Sequence, residues 1–174
     1  MTGRADGRHR FFSLASTDVA HAIETLATIA RPARIVALTQ SMQFERLRAA
    51  RSCYDHLAGR LGVALADWLV RNKAIESSGA DFKLGHDAQS VFRDLRIDLD
   101  AARTQRRAFV RACVDWTERR PHLAGSVGAA LLTCFLDRGW IARNVDDRAV
   151  AITAAGRRAL ERRFEIDTAS FTRT

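Results

Sequence analysis

The sequence predicts a mainly helical α+β protein made of winged-helix-like lobes with short β-hairpins, duplicated in its C-terminal region. Three observations carry this. Apolar runs at helical spacing alternate with short strand-like stretches that are bounded by turn residues. His56-Leu-Ala-Gly59 recurs as His122-Leu-Ala-Gly125, and Gly62, Ala64, Leu65 and Ile75 recur as Gly128, Ala130, Leu131 and Ile141 at the same offset. Finally, 174 residues with 47% hydrophobic and 28% charged side chains can build a core and are neither disordered nor membrane-like in composition.

From the N-terminus, the basic turn residues Gly3 to Arg10 feed a short strand, Phe11 to Leu14. Ser16 or Thr17 can cap a helix whose apolar positions are Val19, Ile23, Leu26 and Ile29, and Arg31-Pro32 stops it. A second helical pattern runs from Phe44 through Leu47, Ala50, Cys53, Tyr54 and Leu57, and resumes after Gly59 through Leu61, Leu65, Trp68 and Leu69. Ser77 to Asp81 reads as a turn, Phe82 to Leu84 as a strand and Asp87 to Leu95 as a helix. In the repeat, Gln105 to Arg119 is amphipathic through Phe109, Ala112, Cys113 and Trp116, and Pro121 stands at the start of an apolar helix to Asp137. Trp140 to Arg143 and Ala149 to Thr153 then form a hairpin, and Thr153 caps a last helix to about Phe164.

The repeated unit is about 45 to 50 residues long, and two copies make paired lobes and not a solenoid. Cys53 falls outside the offset, because the residue three before His122 is Arg119. The duplication thus keeps the histidine and drops the thiol, which suggests that the histidine positions the following helix in both lobes.

The formal charge is +8, with only Lys73 and Lys83 among 28 basic residues. Such a balance suits an anionic partner, although an arginine and alanine bias also marks GC-rich coding sequence. Most of the excess lies beyond residue 100. The three cysteines form an odd set without disulfide-framework spacing, which points to a reducing cytoplasm. No run is long and apolar enough for a signal peptide or a membrane span. Phosphate-binding glycine loops, nucleophile elbows, paired zinc-protease histidines and CxxC pairs are all missing, so no enzyme is expected.

Gly7-Arg-His-Arg-Phe-Phe-Ser-Leu14, Arg51-Ser-Cys-Tyr-Asp-His-Leu-Ala-Gly59 with Leu61-Gly-Val63, and Asp115-Trp-Thr-Glu-Arg-Arg-Pro-His-Leu-Ala-Gly125 resemble the later part of ArsR-type (arsenical-resistance repressor) regulators. The likeness is to longer members, which carry a region after the winged helix-turn-helix. It implies a remnant wing at 1–15, a linking and dimerisation helix at 16–43, a first lobe at 44–100 and a second at 101–174. It also implies a homodimeric repressor of duplex DNA. In that family the recognition helix precedes the segment resembling Gly7 to Leu14, so the chain is expected to retain only the second strand of the wing and to bind its operator poorly. The alternative is a sensor or dimerisation module without DNA binding.

In the wing, Arg4, Arg8, His9 and Arg10 are the candidate DNA contacts, since guanidinium groups near a turn tip reach phosphates or the minor groove. A solvated basic terminus would look the same. Cys53, Asp55 and His56 are the candidate metal ligands. On a helix, Cys53 and His56 share a face and offer a thiolate and an imidazole to a thiophilic divalent metal such as zinc or cadmium. Two ligands fall short of four, and a third has to come from His21, from elsewhere in the fold or from a dimer mate. A buried Cys beside a capping His fits the same spacing. Cys113 and Cys134 read as core residues on helical stripes. Trp68, Trp116 and Trp140 suit the core, and their spacing does not support an effector pocket between the lobes.

Overall fold

The computed structural model describes residues 2–6, 9–30, 38–145 and 147–171, without the side chains of 2–13, 17, 18, 20 and 21. An N-terminal hairpin, β1 (Thr2–Asp6) and β2 (His9–Ser13), leads into α1 (Thr17–Ile29). The Ser16 hydroxyl accepts a bond from the Val19 amide at 3.3 Å and caps that helix. Thr2–Asp6 is thus a paired strand, and the expectation of a lone second wing strand is corrected: its partner is already present. Then comes α2 (Leu38–Ala49), followed by the body of the molecule.

That body consists of two units with one element order. The first is β3 (Arg51–Cys53), β4 (His56–Ala58), α3 (Gly59–Arg71), β5 (Ile75–Ser78), β6 (Asp81–Leu84) and α4 (Ala88–Asp94), extended by α5 (Leu99–Arg103). The second is β7 (Arg111–Val114), β8 (Pro121–Ala124), α6 (Gly125–Asp137), β9 (Ile141–Arg143), β10 (Val150–Ile152) and α7 (Ala154–Phe164), closed by a 3-10 turn at Thr168–Phe171. Each pair of strands is an antiparallel two-stranded sheet. Among the described residues no helix is long and apolar enough to cross a membrane.

Two expected helices are strands, and the reasons are local. Cys53 and His56 were placed on one helix that continued from Phe44, but α2 stops at Ala49 and both residues sit opposite each other in the β3–β4 hairpin. These strands are only three residues long and buried on both faces, so they lack the polar alternation that marks a strand in sequence. Gln105 to Arg119 is not a helix either. Here the Asp115 carboxylate accepts bonds from the Thr117 amide at 2.9 Å, the Thr117 hydroxyl at 2.6 Å and the Glu118 amide at 3.1 Å. Local capping of this kind competes with helix formation. Pro121 opens β8, where its missing N–H costs nothing at a strand start, and the helix waits until Gly125.

The units exchange contacts reciprocally. Helix α3 packs on β8 while α6 packs on β4. Strand β6 lies beside β7, and β10 runs beside β3, where the Ser52 amide bonds to the Arg148 carbonyl and the Val150 amide to the Ala50 carbonyl at 3.0 Å. An approximate two-fold therefore relates the units. Their helix starts match as well: Gly59 and Gly125 have φ of +74° and +82°. A Cβ at Gly59 would come within 2.6 Å of the Arg48 carbonyl oxygen, and one at Gly125 within 2.7 Å of the Phe109 carbonyl oxygen. Only glycine fits there.

The core runs through both units. Leu61, Leu65, Trp68 and Leu69 of α3 meet Val127, Leu131, Leu132 and Phe135 of α6, and Phe164 joins them with its ring centroid 4.9 Å from that of Trp68. At the seam an ion pair lies in the interior: Arg51 and Asp115, both 0% exposed, meet at 2.9 Å. Asp115 also accepts the Gly59 amide at 2.6 Å, which ties the second unit to the start of α3. Removing one partner of such a pair strands a charge in the core. Asp115→Ala should therefore cost about 3–5 kcal/mol in urea unfolding. A cost under about 1 kcal/mol, the range of an exposed pair, would show that the pair does not hold the seam.

Candidate metal centre

The reciprocal packing brings four side chains to the pseudo-two-fold. Cys53 and His56 face each other across β3–β4, and Cys113 and His122 face each other across β7–β8. The two Sγ and two ring nitrogens all lie within 4.8 Å of one another, and all four residues are buried. His56 Nε2 and His122 Nε2 stand 3.1 Å apart. A tetrahedral zinc with bonds of about 2.3 Å to sulfur and 2.0–2.1 Å to nitrogen requires ligand separations of about 3.3–3.8 Å. The cluster needs only small shifts to reach them.

Two glycines make room for this approach. A Cβ on Gly62 would sit 2.5 Å from the Leu57 carbonyl oxygen and 3.4 Å from the His122 Cβ. On Gly128 it would sit 2.5 Å from the Leu123 carbonyl oxygen and 3.3 Å from the His56 Cβ. Each histidine thus nests on a glycine of the opposite unit, which explains why the repeat carries glycine four residues after Ala58 and Ala124.

The outer contacts differ between the two histidines. His56 Nδ1 faces the Asp55 carboxylate at 3.3 Å, and Asp55 is held in turn by Arg107. Burial opposes ionisation of Asp55, but His56 and Arg107 outweigh it and bring its pKa down to about 2. Burial likewise disfavours charge on His56, yet Asp55 and Cys53 raise its pKa to about 9. Burial pushes His122 down. Its Nδ1 lies 3.6 Å from Asp115 and has no hydrogen-bond partner among the described residues. The contact between the two Nε2 atoms is a hydrogen bond only with a proton on one of them, in the place a cation would take. Cys53, held by Cys113 and by burial, is pushed up to about 12, so it is a thiol that must lose its proton to a metal.

Of the expected ligands, Cys53 and His56 belong to this cluster. Asp55 does not; it orients His56 from outside, the usual place of a carboxylate behind a ligating histidine. Cys113 and His122 complete the set, and neither was expected to. Cys113 is the counterpart of Cys53 after all, so the inference that the second unit lost its thiol is corrected. The β7–β8 turn is longer than the two-residue Tyr54-Asp55 turn, which shifts Cys113 out of the constant offset while leaving it opposite its histidine. Cys134 is partly buried, apart from the cluster, with the Arg138 Nε 3.2 Å from its sulfur. The side chain of His21 lies outside the described residues.

The candidate DNA contacts Arg4, His9 and Arg10 are on the strands of the N-terminal hairpin, and their side chains lie outside the described residues, as does Arg8 altogether. Hairpin and centre are linked through α1. Arg119 donates to the Thr28 carbonyl, and Arg148 pairs at 2.8 Å with the buried Glu24.

No family model matches the chain, and no solved structure matches it. YdfF of Bacillus subtilis (strain 168), described as an uncharacterized HTH-type transcriptional regulator, is 40% identical over 160 residues. That match spans 92% of this chain and 71% of the relative. A buried cysteine and histidine pair in each of two exchanged units thus sits within a sequence that aligns along nearly its whole length with a regulator of transcription, and the chain belongs to the HTH-type transcriptional regulators.

Proposed function

We propose that the protein is a DNA-binding transcriptional repressor of the ArsR type, a homodimer whose state is set by a zinc- or cadmium-class metal held by Cys53, His56, Cys113 and His122. The observation that carries this reading is the four-ligand cluster shared by the two units. Two thiols and two imidazoles suit a thiophilic, tetrahedral metal better than magnesium or calcium, which take oxygen. A protein ligand at every corner leaves no position for a substrate, so such a centre signals or braces and does not catalyse. Because each unit supplies half the ligands, loading would clamp the units together. The strain would reach α1 through Arg119 and Arg148. The lobes at 44–100 and 101–174 would form the sensing body, and the hairpin near Arg4, Arg8, His9 and Arg10 would serve as a wing on duplex DNA.

The dimer reading rests on α1. Val19, Ile23, Leu26 and Ile29 form one apolar stripe at helical spacing, and all four are exposed, Leu26 by 63% and Ile29 by 78%. A second copy of the helix would cover it. Sedimentation should then give a dimer for the wild type and a folded monomer for Leu26→Glu/Ile29→Glu; a wild-type monomer would refute the pairing.

For the centre, titration with cobalt(II), followed by competition with zinc, should give one ion per chain with a tetrahedral thiolate spectrum. Cys53→Ser and Cys113→Ser should each remove it, and Cys134→Ser should leave it intact. Asp55→Asn should weaken zinc by about 10–100-fold. Unchanged binding in Cys113→Ser would sink the shared site.

For the wing, duplex DNA from upstream of the protein's own gene is the probe. Anisotropy against salt should show Arg4→Ala and Arg10→Ala each lowering the slope by about one, with affinity falling alike on all sequences. Slopes that do not move would take these arginines off the DNA.

A further inference from the structure

The two units differ in one place that the metal centre does not explain. A cavity of about 790 Å³ lies between α2, the β9–β10 hairpin, α7 and the 3-10 turn. Its apolar surface includes Ala49, Ala50, Val150 and Phe171. In the matching place, ahead of β7, larger side chains stand. The two residues ahead of β3 are Ala49-Ala50, whereas those ahead of β7 are Phe109-Val110. Phe109 and Val110 pack against the core, and the Arg103 guanidinium of α5 lies 4.2 Å from the centre of the Phe109 ring. The elements on the far side correspond as well: Asp98 caps α5 through the amides of Asp100 and Ala101, and Asp167 opens the 3-10 turn through that of Ala169. The positions held by two alanines at this groove are thus held by a phenylalanine and a valine in the other unit.

The groove opens to solvent on its charged side and is apolar on its floor, the shape of a ligand cleft. The volume is within the range of small-molecule sites. Around the rim Arg46, Arg143 and Arg157 face Glu45, Glu161 and Asp167, so the charges balance. Arg46 is already paired with Asp147 at 2.9 Å, and the Asp167 carboxylate is used by Ala169. No net field draws in an ion, and the apolar lining sets the affinity. We infer that this cavity is a binding site for an uncharged, largely apolar or aromatic organic molecule, a second effector site separate from the metal centre.

N-phenyl-1-naphthylamine, a neutral aromatic fluorophore, tests this on the whole chain. It should bind saturably at one site per chain, with and without zinc. Ala49→Phe, which copies the residue of the other unit, should weaken it by about tenfold or more, and Ala151→Trp on the exposed side of the same cavity should do likewise. Both variants should keep the cobalt(II) stoichiometry of the wild type, which separates loss of this site from loss of fold or of the centre. Equal affinity in the wild type and both variants, or only non-saturable binding, overturns the assignment. Tighter binding of the anionic 1-anilinonaphthalene-8-sulfonate than of the neutral probe overturns the ligand class.

Discussion

The carboxylate of Asp115 is the point on which the molecule turns. One oxygen shapes its own chain by taking the Thr117 and Glu118 amides, and the other crosses the seam to Arg51 and to the amide that begins α3. Burial penalises its charge, yet the Arg51 guanidinium and the Thr117 bond hold its pKa at about 2, so it stays ionised in the interior. Burying a charged pair gives little net stability, but it gives register, because any slip of one unit against the other would leave a charge unpaired. The hairpins that carry the cysteines and histidines are aligned by this contact. Arg51 further lies with its guanidinium 4.8 Å from the centre of the Trp116 ring, which fills the space around the pair without adding another polar demand.

Duplication accounts for the chemistry. One unit alone places a thiol and an imidazole across a hairpin, which is half of a tetrahedral site. Exchange of helices, α3 onto β8 and α6 onto β4, turns the hairpins face to face and doubles the ligands. The helix starts then carry the cost: Gly59 and Gly125 take left-handed backbone, and Gly62 and Gly128 give up their side chains so that each histidine can rest on the other unit. These are the glycines of the repeated motif, so the motif reads as a packing requirement of the centre. On the proposed reading, an exchanged pair of units with a buried polar seam suits a signal, since occupancy of the site would change how firmly the halves are held without touching the rest of the core.

Much of this was legible. The helices that follow caps, such as those starting after Ser16 and Thr153, and the hairpin before the last helix stand where the apolar spacing put them. The repeat was visible from His56 and His122 onward. What failed was the stretch just before each of these histidines. Three-residue strands buried on both faces carry no alternation, and Leu47, Ala50, Cys53 and Leu57 match a helical period by coincidence. The partnership of Cys53 with Cys113 was hidden for another reason. A hairpin tip can lengthen without disturbing the residues opposite each other, so a fixed offset follows the histidines and loses the cysteines. Sequence spacing measures the path along the chain, and the centre depends on the distance across it.

The asymmetry of the outer contacts bears on how such a centre would load. His56 has its carboxylate partner on a two-residue turn, with Asp55 and Arg107 partly open to solvent. His122 stands in the interior behind Asp115, whose bonds are already committed to backbone and to Arg51. A cation would therefore meet an imidazole already oriented by a carboxylate on the first unit, and on the second one whose Nδ1 has no hydrogen-bond partner among the described residues. Binding a metal at His122 would leave its Nδ1 proton facing Asp115 at 3.6 Å, close enough to tighten into a hydrogen bond as the ring settles. That movement would act on the same carboxylate that fixes the start of α3 and the Arg51 side chain. The ion would thus be read through Asp115, the group that already sets the register of the two halves.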